Sequence, residues 1–214
     1  TNNTDYNAKY FSFIFSSLKS PPAIYSQDLI TKKRKKIWTQ KVLHHKENDY
    51  EIKKITIVAR DGTKVPISLV YKKGINLKKA PILQYGYGSY GLIIEPSFKL
   101  SFMPLIEEGF IFAIAHIRGG QDLGRIWYDQ GRMMNKMNSF FDFIDCTKSL
   151  LEKGIGNKNK TFAMGGSAGG LLMGAIINFE PKLYKGIVSA VPFVDVLTTM
   201  SDESIPLTTF EYKE

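Results

Sequence analysis

The chain has 214 residues, a net charge of +9, one cysteine, and a composition that is 43% hydrophobic and 13% aromatic. This composition excludes a disordered chain, and a single cysteine excludes an internal disulfide. The positive charge is compatible with nucleic-acid binding, because lysine and arginine neutralise phosphates. The basic residues are mostly scattered along the sequence, however, so we expect no nucleic-acid partner.

Three features concern the compartment. The sequence has no uninterrupted apolar run of about 18 residues, which a membrane-spanning helix needs. It begins TNNTDYNAKY, which is too polar for a signal peptide. The one cysteine, Cys146, is typical of a reducing compartment. We therefore expect a soluble protein of the cytoplasm without a membrane partner.

The first part of the chain, residues 1–45, has the pattern of an all-β segment. Phe11, Phe13 and Phe15 alternate in KYFSFIFS as residues on one face of a strand do, and a proline pair then breaks the run. Further short strand-like stretches with turn residues between them follow. This spacing predicts a small blade-like sheet.

The densest basic cluster is TKKRKK, at residues 31–36. It lies between two strand-like runs, IYSQDLI and KIWTQ. A charged turn between strands is the simpler explanation, and a basic binding patch is the alternative.

A second region begins near Tyr50. The stretch ITIVARDGTKVPISLVY contains Asp61 and Gly62 between two β-rich runs, which is typical of a hairpin. From Ala80 onward, short apolar strands alternate with helical stretches, and these strands are PILQY, GFIFAIAHI, TFAM and KGIVSAVPF. The alternation predicts an α/β fold, with a mainly parallel sheet that helices cover on both faces.

The clearest predicted helix is SFFDFIDCTKSLLEKG. Ser139 and Asp142 form an S-x-x-D capping pattern at its start, and Gly154 is a typical stop. Cys146 lies inside this helix with no histidine nearby in the sequence, so we expect a packed or semi-exposed thiol rather than a nucleophile.

Two glycine motifs compete to define the function. The first, GYGSYG at residues 86–91, fits the G-x-G-x-x-G pattern of a dinucleotide-binding loop after a strand. Such a loop should lead directly into a helix, but Pro96 interrupts the segment that follows. Tyr87 and Tyr90 would also crowd a phosphate. We therefore disfavour a dinucleotide site and expect no cofactor.

The second motif is GGSAGG. Gly165, Ser167 and Gly169 form G-x-S-x-G between a short strand and a helix, which is the setting of a nucleophile elbow. The sharp turn exposes the serine hydroxyl, and the helix N-terminus favours developing negative charge. A glycine-rich turn with an incidental serine is the alternative.

Several motifs in order resemble one family. GGSAGGLLMGAIIN, QYGYGSYG, AHIRGG, VARDGTKVPISLVY and VPFVDVLTTMSDESIPLTT are similar to the prolyl oligopeptidase family of serine peptidases, and within it to the oligopeptidase B group. The resemblance implies a β-propeller followed by an α/β-hydrolase domain. It assigns residues 1–45 to a remnant of the last propeller blade and residues 46–214 to the N-terminal part of the peptidase domain.

The resemblance also implies residue roles. Ser167 would be the nucleophile, and the Ala168 amide and the Tyr87 hydroxyl would be the two oxyanion donors, which suits the chemistry of a tetrahedral intermediate. Tyr90 would line the substrate pocket. The alternative for both tyrosines is packing within a glycine-rich loop.

Specificity in this group is for cleavage of short peptides after arginine or lysine, which requires carboxylates in the pocket. Glu211 matches the acid for that role, and Glu95 matches an acid of the neighbouring subsite. Lys213 and Ser97 depart from the pattern, because each stands where a further acid is expected. Solvated surface carboxylates are the alternative for Glu95 and Glu211.

The predicted triad is incomplete. In α/β-hydrolases the order is serine, aspartate, histidine, yet His44, His45 and His116 all precede Ser167. His116 ends a strand, so we expect a structural role for it rather than recruitment as a base.

The only aspartates after Ser167 are Asp195 and Asp202, and both match pocket segments of the family rather than the triad acid. We therefore expect a truncated chain that is inactive alone and that a C-terminal fragment could complement. A non-catalytic remnant or binding scaffold is the alternative.

Overall fold

The computed structural model describes residues 3–206 and 212–214. The first sheet in the chain is an antiparallel meander of three strands, β1 (Tyr10–Phe15), β2 (Ala23–Asp28) and β3 (Arg34–Thr39), in the order β1-β2-β3. The phenylalanine alternation therefore predicted a strand correctly.

Aromatic and basic side chains pack on one face of this sheet. The rings of Phe13 and Tyr25 stack at 5.6 Å between centroids, and Arg34 and Lys36 lie over them, each 5.7 Å from a ring centroid. The basic cluster is thus divided. Its first three residues lie in the β2–β3 turn, whereas its last three belong to β3, where Arg34 and Lys36 make these cation–π contacts.

Within residues 3–206, the second sheet has six strands in the order β4-β5-β7-β6-β8-β9. The strands are β4 (Tyr50–Val58), β5 (Lys64–Lys72), β6 (Ile82–Tyr85), β7 (Ile111–Ala115), β8 (Thr161–Gly166) and β9 (Gly186–Ala190). Strands β4 and β5 form the predicted hairpin, where the Asp61 carboxylate accepts a hydrogen bond from the Thr63 amide at 3.0 Å. Strands β7, β6, β8 and β9 are mutually parallel, as the alternation after Ala80 predicted.

Among the described residues, five α-helices connect these strands or follow them: α1 (Met103–Glu107), α2 (Arg125–Asp129), α3 (Met137–Glu152), α4 (Ala168–Phe179) and α5 (Val196–Met200). Strand β7 shows how both faces of the sheet are covered. Ile111, Ala113 and Ala115 join the core under α3 and α4, while Phe112 and Ile114 join the core under α1. The predicted α/β class is confirmed.

The predicted cap of α3 is wrong. The helix begins at Met137, and Ser139 and Asp142 are buried inside it. The Asp142 carboxylate accepts hydrogen bonds from Arg118 Nε at 2.8 Å and Nη2 at 2.6 Å. Asp142 therefore forms a buried ion pair with Arg118 instead of capping the helix. Burial raises the pKa of Asp142, and Arg118 opposes that shift. The helix stop is correct, because Gly154 follows with φ of +73°.

The helices of the described ranges include none that is both long enough and apolar enough to cross a membrane.

Candidate active site

Ser167 lies in a sharp turn between β8 and α4. Its φ is 57° and its ψ is −119°, a left-handed conformation that a residue with a side chain rarely adopts. The turn is fixed on both sides, because the Ser167 amide donates to the Ala190 carbonyl at 2.9 Å and its own carbonyl accepts from Gly170 at 2.8 Å. Backbone strain of this kind persists at functional sites when the surroundings enforce it. The side chain is exposed, as nucleophilic attack requires.

The glycines on either side of Ser167 lie where the surrounding atoms leave little room for a side chain. A Cβ at Gly165 would lie 2.2 Å from the Gly169 carbonyl oxygen, so no side chain fits there. A Cβ at Gly169 would lie 2.9 Å from the Gly86 oxygen and 3.3 Å from Cδ2 of Tyr87. The first turn of α4 therefore packs directly against the loop that contains Tyr87.

The GYGSYG loop leaves β6, which lies between β7 and β8 in the sheet. Hydrogen bonds from Gly86 to the Met164 carbonyl at 3.3 Å and from Gly91 to the Gly119 carbonyl at 3.0 Å hold its two ends. The rings of Tyr87 and Tyr90 are 6.3 Å apart. The two glycine motifs are thus brought together at the carboxyl ends of adjacent parallel strands, where α/β folds bind their ligands.

A cavity of about 210 Å³ opens beside the elbow. Ala168 and Tyr90 both line it. The remaining lining is mostly apolar and consists of Ser89, Met133, Lys136, Leu171, Phe193, Val196, Met200 and Glu214. Lys136 and Glu214 are the charged side chains of this lining.

The structure does not place either of the two predicted acids in this cavity. Glu95 is exposed and lines a different cavity of about 500 Å³, together with Ser97 and residues of the sheet face under α1. Glu211 lies in the segment between the two described ranges. The structure therefore does not bring Glu95 together with Ala168 and Tyr90.

Sequence reasoning missed Glu214. Its carboxylate accepts hydrogen bonds from the Tyr90 amide and, at 2.7 Å, from the Tyr128 hydroxyl. Burial and then this carboxylate raise the pKa of Tyr128. The available signal was the proximity of Glu214 to Glu211 in the same acid-containing stretch. Lys136, in the cavity wall, had no comparable signal.

His116 is buried and both of its ring nitrogens are engaged. Nε2 lies 2.8 Å from the Ser68 hydroxyl, and Nδ1 lies 2.8 Å from Oδ1 of Asp122. These contacts agree with the structural role expected for His116. His45, in turn, hydrogen-bonds the Lys19 carbonyl through Nε2 at 2.7 Å, far along the chain from the elbow.

The aspartates that follow Ser167 make local contacts. Asp195 accepts from the Thr198 amide at 3.3 Å at the start of α5, and Asp202 accepts from the Ser204 amide at 2.9 Å. These bonds suit turn and cap residues rather than a triad acid. Over residues 3–206 and 212–214, no three His, Cys, Asp or Glu side chains are grouped so that they could hold a metal ion.

The fold and the elbow define the class. An α/β-hydrolase has a sheet of parallel strands with helices on both faces and a serine at a strained strand-to-helix turn. This chain contains part of that arrangement, and an antiparallel sheet precedes it. The model of the Prolyl oligopeptidase family matches residues 96–214. The chain belongs to the prolyl oligopeptidase family, so the resemblance noted in the sequence is confirmed.

Curated relatives and solved structures agree with this membership. The chain is 45% identical to a dipeptidyl aminopeptidase BI of Pseudoxanthomonas mexicana over 99% of its residues and 30% of the relative, and 42% identical to a protease 2 of Moraxella lacunata over 94% and 29%. It superposes on oligopeptidase B from Trypanosoma brucei with covalently bound antipain with a TM-score of 0.90, at 45% identity, over 98% of this chain and 30% of the other. For oligopeptidase B from Leishmania major the TM-score is 0.91 and the identity 40%, over the same shares. The chain spans about 30% of the length of the curated relatives that it matches.

Proposed function

We propose that this chain supplies the nucleophile-containing part of a serine-type oligopeptidase that cleaves short peptides after arginine or lysine. The main support is the geometry of Ser167, which is exposed at a strained turn with the Tyr87 loop packed against the first turn of α4. The peptidase names of the relatives support the same reaction class.

In this proposal the Ser167 hydroxyl attacks the peptide carbonyl. The Ala168 amide, at the first position of α4, and the Tyr87 hydroxyl donate hydrogen bonds to the oxyanion that forms. The helix N-terminus adds a favourable field for this negative charge. Tyr90 and the cavity beside it receive a substrate side chain.

The proton of Ser167 needs an acceptor, and we propose that residues outside this chain provide it. The sequence has no histidine after Ser167, and both ring nitrogens of His116 are occupied by Ser68 and Asp122. A C-terminal fragment with the triad aspartate and histidine would complete the site. The chain by itself would then have no peptidase turnover.

The exposed edge of the second sheet supports docking of such a fragment. Among the described strands, β9 is last in the order, so one edge of its backbone has no strand partner there. Val188 in β9 is 51% exposed, and Val191 and Leu197 beyond it are 83% and 82% exposed. An added strand and helix would cover these apolar side chains.

The preference for basic peptides depends on acids near the cavity. We assign Glu211 to the substrate cation, supported by Glu214, which follows three residues later and lies in the cavity wall. Glu95, in the second cavity, is assigned to a neighbouring subsite of the substrate. Lys213 and Ser97 stand where further acids are expected, which weakens the negative potential of both sites.

Two coarser assignments belong to the same proposal. Residues 1–45 would be the last blade of a β-propeller, which their three-stranded antiparallel meander supports. A cytoplasmic location is supported by the one cysteine, Cys146, which is a buried free thiol.

The test is hydrolysis of an arginyl amide by the purified 214-residue chain, with and without a C-terminal fragment of a relative that contains the triad aspartate and histidine. We expect no turnover by the chain alone and turnover with the fragment, abolished by Ser167→Ala. Cleavage by the chain alone that Ser167→Ala abolishes would show that a base lies within these residues. A bound fragment without cleavage would instead favour the non-catalytic scaffold.

A further inference from the structure

The loop between Tyr87 and Tyr90 is tied to the start of α3 by a lysine. The Lys136 ammonium donates a hydrogen bond to the Gly88 carbonyl at 2.8 Å and also contacts the Ser89 hydroxyl. Gly88 and Ser89 are the two residues that separate Tyr87 from Tyr90. The Lys136 side chain, which lies outside this loop, therefore contacts both residues at its middle.

Ser139 strengthens the same junction one turn further along the helix. Its hydroxyl oxygen lies 2.7 Å from the Arg118 carbonyl, 3.0 Å from the Gly131 carbonyl and 3.4 Å from the Gly88 carbonyl. The backbones meet directly, because a Cβ at Gly119 would lie only 2.0 Å from the Gly88 oxygen. The position of Gly88 thus depends on contacts with α3 and with the segment around Gly119.

Lys136 occupies a position that is unfavourable for a cation. It immediately precedes Met137, the first residue of α3, where the helix dipole disfavours a cation. The side chain is half-buried and lines the cavity beside Ala168, so its ammonium is also partly removed from water. The hydrogen bonds to the loop offset these costs, because bonds from a charged donor are stronger than neutral ones.

We propose that Lys136 is a positioning residue that fixes the conformation of the 86–91 loop and thereby the directions of Tyr87 and Tyr90. The inference depends on the proposed function only for its catalytic consequence. The structural part, that Lys136 orders the loop, applies to the chain without any turnover.

Hydrogen–deuterium exchange of the purified 214-residue chain tests the structural part. The peptide that covers residues 86–91 is compared in wild type, Lys136→Met and Lys136→Arg. The matched control is Lys148→Met, which makes the same change within α3 at a lysine that pairs with Glu180 at the surface.

We expect exchange in the 86–91 peptide to be about tenfold faster in Lys136→Met, because loss of the ammonium permits local opening of the loop. Lys136→Arg should restore most of the protection, and Lys148→Met should leave this peptide unchanged. Equal protection in wild type and Lys136→Met would overturn the proposal. If Lys136→Met does not fold, Ser89→Ala, which deletes only the second acceptor, must accelerate exchange in the same peptide, and an unchanged rate would overturn the proposal.

The catalytic consequence is measured in the complex with the C-terminal fragment. Lys136→Met should lower kcat for an arginyl amide about tenfold with little change in KM, because a displaced oxyanion donor weakens transition-state binding more than substrate binding. The variant Tyr87→Phe distinguishes the oxyanion role of Tyr87 from the positioning role of Lys136. If Tyr87→Phe leaves kcat unchanged while Lys136→Met still loosens the loop, the oxyanion role of Tyr87 is wrong and the positioning role of Lys136 stands.

Discussion

Two serines of this molecule each have one part of what an active serine needs. Ser68 has histidine and aspartate partners but is buried, whereas Ser167 is exposed but has no such partners among the described residues. Ser68 in β5 is hydrogen-bonded to His116, and His116 to Asp122, so the three residue types of a catalytic triad are connected in order. Ser68 is only 5% exposed, however, and lies in a regular strand. Ser167 is exposed at a strained turn at the start of α4, yet the chain has no histidine beyond it.

Two features of a serine, its exposure and its backbone conformation, indicate a nucleophile. Hydrogen bonds among serine, histidine and aspartate also satisfy buried polar groups between strands, where they serve stability. A nucleophilic serine also needs access to the substrate and a backbone conformation that exposes its hydroxyl, and these hydrogen bonds supply neither. We therefore assign the chemistry to Ser167 and a structural role to the Ser68, His116 and Asp122 chain.

The largest expected effect tests this assignment directly. In the complex with the C-terminal fragment, Ser167→Ala should lower kcat for an arginyl amide on the order of a millionfold, because the covalent step is lost. Ser68→Ala should retain turnover. Labelling with a fluorophosphonate, followed by mass spectrometry, identifies the reactive serine, and a label on Ser68 would reverse the comparison.

Tyr87→Phe sharpens the description of the Ser167 site. Removal of one oxyanion donor should reduce kcat by about 100- to 1,000-fold, while KM stays nearly constant because the bond forms mainly in the transition state. Steady-state kinetics of the complex measures both constants. An unchanged kcat would mean that Tyr87 serves only to pack against α4.

His116→Asn examines the Ser68 site through stability rather than turnover. Loss of the imidazole leaves buried hydrogen-bonding groups without partners, so the free energy of unfolding should fall by about 1–3 kcal/mol. Urea denaturation of the 214-residue chain gives this value.

The matched control is His44→Asn, at an exposed histidine whose positive φ an asparagine tolerates. This change should stay within about 0.5 kcal/mol of wild type. Equal stability of both variants would contradict a structural role for His116.

Glu211→Gln has the smallest expected effect. If Glu211 pairs with the substrate cation, KM for an arginyl amide should rise about tenfold, because a charge-assisted bond is replaced by a weaker neutral one. A substrate with a neutral side chain at the same position provides the control and should be affected little. An unchanged kcat/KM for the arginyl substrate would exclude the pocket role.

Local sequence patterns predicted the features that depend on neighbouring residues. Asp61 and Gly62 predicted the β4–β5 hairpin, and the GGSAGG stretch predicted the turn at Ser167, because backbone conformations with positive φ or without room for a Cβ restrict the residue types that can adopt them. The alternation of apolar strands and helices after Ala80 likewise determined the parallel part of the second sheet.

Which distant side chains meet depends on how the whole chain folds. Ser139 and Asp142 have the spacing of a cap, yet burial against the segment at Arg118 makes them partners of that segment instead. Lys136 reaches Gly88 across 48 residues, and Ser68 reaches His116 because β5 pairs with β7. Such contacts depend on the order of strands in the sheet, which no local pattern encodes, whereas turns and helix stops depend on the conformational limits of the few residues that form them.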